Sequence, residues 1–179
     1  MSTETTPPLS WSHTLKSVGP RGLTTDRVAT DAERDRIKAE LDVLAVDSFH
    51  ATYTITPQSG GCFGMAGSFT AKVTQACVVT LEPVDQNIDD AIDVTFCPPN
   101  KLPEVTAAER TVLDEPDFEP LVGDTIDAGR VLYELLSTAL DPYPRKSETE
   151  FSWKDPKAGP EDAQVLKPFA ALSKLKTSD

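Results

Sequence analysis

Histidine and cysteine are scarce in this chain of 179 residues, which holds two of the first and three of the second. Cys62, Cys77 and Cys97 are odd in number and far apart, a pattern that does not read as a disulfide framework and is expected of a reduced setting. No apolar run approaches the roughly eighteen residues needed to cross a bilayer. The start, MSTETTPPLSW, has no basic stretch followed by an apolar one, so no secretory leader is expected and the protein reads as cytoplasmic. A phosphate-binding loop, a glycine-rich dinucleotide turn and a nucleophile elbow are all missing, so no cofactor is expected and no enzyme class is indicated.

Basic residues are also in short supply: 17 Lys and Arg face 29 Asp and Glu, a formal net charge of −12. The imbalance is concentrated in 82–127, where thirteen acidic residues meet only Lys101 and Arg110. Such a stretch repels phosphate backbones, and a basic protein suits it better; the plain alternative is that the acids only solvate an irregular connection. The hydrophobic fraction of 39% and fifteen prolines point to a folded body with loose ends.

What is present reads as an α+β protein: an antiparallel β-sheet packed by two helices, with a flexible C-terminal tether. Residues 10–18 alternate weakly, with Trp11, His13 and Leu15 on one side, and suggest an entering strand. Thr30-Asp-Ala-Glu33 has the form of a capping box, and Ile37, Leu41 and Leu44 share one face of a helix over 32–44. From Phe49 the period becomes two, with Phe49, Ala51, Tyr53 and Ile55 on one face and His50, Thr52, Thr54 and Thr56 on the other. The turn residues of 57–61 lead to a second alternating run, Phe63, Met65, Phe69, Ala71 and Val73, and so to a hairpin. The β-branched residues Val78 and Val79 are expected to prolong the sheet until Pro83, and the next strand falls over 86–96. There Ile88, Ile92, Val94 and Phe96 share an apolar face that Asp90 interrupts, as at a bulge or a sheet edge. Residues 98–120 read as a long acidic loop. Asp127 can cap a second helix with a broad stripe from Val131 to Leu140, which Pro142 and Pro144 stop.

Three readings of Cys77 compete: nucleophile, metal ligand and small core residue. A nucleophile needs a base or a positive field, and only His13 and His50 are available. A zinc ligand needs a close partner, but position 80 is Thr. Packing is the simplest role. The acids Asp89, Asp90 and Asp93 read as a solvated strand rather than as an acid–base pair, because neighbours on a strand face opposite sides.

The segments CVVTLEPV, IDAGRVLYELLSTALDPYPR and KPFAALSKLK, in that order, resemble the YceD family of large-subunit ribosomal RNA accumulation proteins. The likeness runs from about residue 44 onward. It implies a small cytoplasmic protein, mostly bacterial with plastid relatives, that large-subunit ribosomal RNA needs in order to accumulate, and no catalytic activity is known for the family. Many members carry Cys-x-x-Cys where this chain has Cys77-Val-Val-Thr80, so a metal role for that pair does not carry over.

The expectation is therefore a noncatalytic factor in large ribosomal subunit biogenesis. A flexible N-terminus (1–9) precedes one domain over 10–145, followed by a linker over 146–164 and a docking motif over 165–179. Binding is expected at Asp141, Pro142, Tyr143, Pro144 and Arg145, and at Lys167, Pro168, Phe169, Leu172, Leu175 and Lys176. No metal is expected. The expected partner is a ribosomal protein or a precursor particle of the large subunit, with ribosomal RNA open as a partner through a surface away from the acids; neither membrane nor DNA is expected. Two alternatives stay open: an enzyme whose pocket joins His50, Cys77 or the cluster of Asp89, Asp90 and Asp93, and a generic protein-interaction module.

Overall fold

A computed structural model describes residues 7–102 and 117–146, all within the first unit of the chain, Met1–Ser147. Among them, five strands form one sheet in the order β2 (Leu23–Val28), β3 (Ala45–Pro57), β4 (Phe63–Ala76), β5 (Pro83–Cys97) and β6 (Asp117–Pro120). A separate ribbon pairs β1 (Ser12–Thr14) with β7 (Thr125–Asp127). Helix α1 (Asp31–Leu41) precedes β3, and α2 (Ala128–Ala139) follows β7.

The period-two pattern decides which face is buried. Phe49, Ala51, Tyr53 and Ile55 of β3 meet Met65, Phe69, Ala71 and Val73 of β4 and Ile88, Ile92, Val94 and Phe96 of β5. Leu9 and Trp11 from the N-terminal segment, Ile37 of α1 and Val131, Leu132 and Leu136 of α2 complete the same core. Two glycines permit this packing. A Cβ at Gly67 would strike the carbonyl oxygen of Thr52 on β3, and one at Gly129 would strike that of Leu9. Gly129 thereby lets the N-terminal segment cross the first turn of α2, where its N–H donates to the Trp11 carbonyl at 3.0 Å.

The capping box forms as expected. The Thr30 hydroxyl oxygen accepts from Glu33 N, and the Glu33 carboxylate accepts from Thr30 N at 2.9 Å. The second helix is likewise capped by Asp127, which accepts from Arg130 N at 3.1 Å.

Several boundaries differ from the sequence reading. Helix α1 ends at Leu41 because Asp42 turns left-handed (φ 52°), which leaves Leu44 exposed. Only Ser12–Thr14 of 10–18 is strand, and Leu15–Ser17 closes into a single 3-10 turn. Residues 77–80 are the turn between β4 and β5, not strand, and β5 begins at Pro83 itself. Proline is tolerated there, as the first residue of a strand. The long loop of 98–120 contains β6, which pairs with Val94–Cys97 in parallel, so the sheet is mixed rather than wholly antiparallel. Strand β2 had no sequence signal, since LTTDRV has little apolar alternation and lies at a sheet edge.

Two of the three cysteines depart from the unpaired, reduced state expected of them. Cys62 and Cys97 form a disulfide with their Cα atoms 4.3 Å apart. They continue the β4–β5 register one step past Phe63 and Phe96. The Cys97 carbonyl accepts from Leu121 N on the β6 side, so this is a non-hydrogen-bonded pair, the kind in which facing side chains lie closest. Chain spacing hides such a pair, because a hairpin brings together residues 35 apart.

Candidate functional site

Two segments more than fifty residues apart in sequence meet at the tip of the β4–β5 hairpin. The turn is closed by Cys77 N donating to the Glu82 carbonyl at 2.8 Å and Leu81 N donating to the Cys77 carbonyl at 2.9 Å. The chain leaving α2 fastens onto it. Val78 N donates to the Pro144 carbonyl at 2.9 Å, Gln75 Nε2 to the Asp141 carbonyl at 3.1 Å, and Lys146 Nζ to Glu82 Oε2 at 3.0 Å. Gln86 grips the helix end twice, donating to the Ala139 carbonyl and accepting from Asp141 N. Of the expected binding residues, Asp141 to Arg145 are therefore brought against the Cys77 turn, with Pro144 buried and Tyr143 71% exposed.

This tip presents apolar surface to solvent. Leu81 is 77% exposed and adopts a left-handed backbone (φ 62°), a conformation costly for a side chain with a Cβ. Val78 stands beside it, half-exposed. The expected residues Lys167, Pro168, Phe169, Leu172, Leu175 and Lys176 lie outside the described residues.

Inside the tip, the Cys77 thiol is closed off from solvent. The Thr80 hydroxyl, then the N–H groups of Lys146, Thr80 and Val79, donate to it and pull its pKa down to about 6 against the opposing effect of burial. These donors stabilise a thiolate but supply no base. His50 is elsewhere: it pairs across the sheet with Thr70, seven residues before Cys77, or about 23 Å at strand rise. Its Nε2 lies 3.1 Å from Asp26 Oδ2, which also accepts from the Thr52 hydroxyl. The fold thus separates His50 from Cys77. Among the described residues, no group of three or more His, Cys, Asp or Glu side chains could hold a metal ion.

Two further features stand apart from the tip. His13 is buried, with Nε2 2.8 Å from the Tyr53 hydroxyl; burial, then the field of Arg27, lowers its pKa from 6.5. A cleft of about 310 Å³ is lined by Phe96, Pro120, Val122, Thr125, Asp127 and Arg130. Arg130 bonds Glu119 at 2.6 Å and Glu134 at 2.7 Å, so its charge is already matched and the cleft offers an anion little.

Residues 65–176 match the family described as Large ribosomal RNA subunit accumulation protein YceD. The chain belongs to the YceD family. The match spans well over half of the chain and includes both segments that the hairpin tip brings together. It starts within β4, later than the resemblance that began near residue 44, so β1 to β3 lie outside it. No curated protein and no solved structure matches the chain. No helix among the described residues is long and apolar enough to cross a membrane.

Proposed function

We propose that this YceD-family protein is a noncatalytic factor that supports accumulation of large-subunit ribosomal RNA by binding a basic protein of the precursor particle. The observation that carries the reading is the family match over 65–176, which takes in the hairpin tip where CVVTLEPV and DPYPR meet. The contact surface comprises that tip, with Leu81, Val78 and Tyr143, and the neighbouring acids. The terminal motif with Lys167, Phe169, Leu172 and Leu175 adds a second point of attachment on its linker. Ribosomal RNA would have to be met away from the acids, which repel phosphate. The setting is the cytoplasm, where Cys62 and Cys97, only 9% and 3% exposed, are shielded from the thiols that would reduce them.

The test is sedimentation of a cell extract. The protein is expected to travel with immature large subunits, and truncation at Gln164 is expected to weaken that association without changing the melting temperature. A protein that stays at the top of the gradient would overturn the proposal.

A further inference from the structure

Strand β5 has one long side without a strand neighbour among the described residues. Strand β4 runs along one side from Pro83 to Phe96, whereas among the described residues β6 covers the other only at Val94–Cys97. Ala91 N bonds the carboxylate of Asp90 at 2.8 Å and the Cys97 carbonyl bonds Leu121, so the backbone groups of odd-numbered residues point away from β4. Asp85, Asn87 and Asp89 therefore present their N–H and C=O groups at the open edge. Their side chains share the outer face of the sheet, opposite buried Ile88 and Ile92. The edge also explains Asp90, which occupies the inner-face register yet is exposed at the rim.

We propose that this edge of β5 accepts an extended, lysine- or arginine-bearing segment of a partner protein as an added strand. Backbone groups supply the ladder, and β5 carries Asp85, Asp89, Asp90 and Asp93 with no basic residue of its own. An added strand would place its outward side chains beside Asp85, Asp89 and Asp93, which favours positive charge at alternate positions. Lys72 partly satisfies Asp85, while Asp89, Asp90 and Asp93 have no ion pair among the described residues. The same charges disfavour other occupants. A second copy would set β5 acids against β5 acids, the chain's own 107–116 carries Glu109, Asp114 and Glu115 against Arg110, and RNA carries phosphate. The inference rests on the basic-partner reading above and adds the mode of binding.

The full-length oxidised protein is titrated with a synthetic peptide that alternates lysine with threonine and spans the open stretch of β5. Hydrogen exchange is read by NMR before and after. Strand addition protects the amides of Asp85, Asn87 and Asp89 and leaves their even-numbered neighbours, already bonded to β4, unchanged. Asn87→Pro removes an edge donor without touching a β4 bond or any charge, and is expected to weaken binding about tenfold or more. Asp89→Lys with Asp93→Lys, which keeps the backbone, gives a loss of similar size should the proline variant fail to fold. Equal affinity for Asn87→Pro, or binding without alternate-amide protection, overturns strand addition while a basic partner stands. Protection present in the free chain and lost on truncation at Gln164 assigns the edge to the chain's own tail and also overturns it. In extracts, native protein that sediments with precursor particles while Asn87→Pro does so equally sinks the edge alone; failure of the native protein to sediment sinks the functional reading instead.

Discussion

Opening the Cys62–Cys97 bond releases a loop of 35 residues in the unfolded chain. In the chain-entropy account such a loop is worth about 4 kcal/mol at room temperature. For a folded body of this size each kcal/mol moves the melting temperature by about 3 °C, so reduction should lower it by on the order of 10 °C. The bond also holds the end of β5, where Cys97 accepts from Leu121 beside the start of β6, so β6 should loosen first. The assay compares melting by circular dichroism in the oxidised protein, the reduced protein and the Cys62→Ala/Cys97→Ala variant. Thiols are counted in denaturant. One free thiol, that of Cys77, is expected before reduction and three after it. Three thiols from the outset, or oxidised and reduced melts that coincide, would refute the reasoning; Cys77→Ala should leave the difference between the two melts intact.

The Cys77 thiolate should titrate near pH 6 by its ultraviolet absorbance, yet react slowly with alkylating agents because the group is closed off; a titration at the ordinary thiol value would remove the role given to Thr80. Ribosomal RNA accumulation should survive Cys77→Ala in cells. The lowered pKa of His13 means that the unfolded chain takes up that proton first, so stability is fully present above about pH 6.5 and declines as the pH falls toward the folded value. His13→Asn should flatten that dependence in melting curves, and an unchanged slope would count against it. Thr30→Ala should cost about 1 kcal/mol in denaturant unfolding through loss of the α1 cap. Gly129→Ala should cost about 2 kcal/mol or more, since its Cβ meets backbone rather than a side chain that can yield.

The sequence by itself determined the alternating strands and their buried face. Side-chain direction on a strand has a period of two, and one apolar face must be covered. It determined the caps at Thr30 and Asp127, which are local hydrogen bonds between residues three apart. It also carried the family, through CVVTLEPV and DPYPR, and the concentration of acid in 82–127. Tertiary structure decided what depends on pairing across distance. Residues 77–80 look like strand from β-branched propensity, yet the hairpin needs a turn there, and the DPYPR backbone is placed to bond it. Four residues of β6 carry too little pattern to be seen until β5 offers an edge. Cys62 and Cys97 become a bonded pair only when the β4–β5 register sets them opposite each other. The open side of β5 is likewise a property of the sheet: Asp85, Asp89 and Asp93 are ordinary solvated acids in the sequence, and become the rim of a strand edge because, among the described residues, β6 pairs with β5 only at Val94–Cys97.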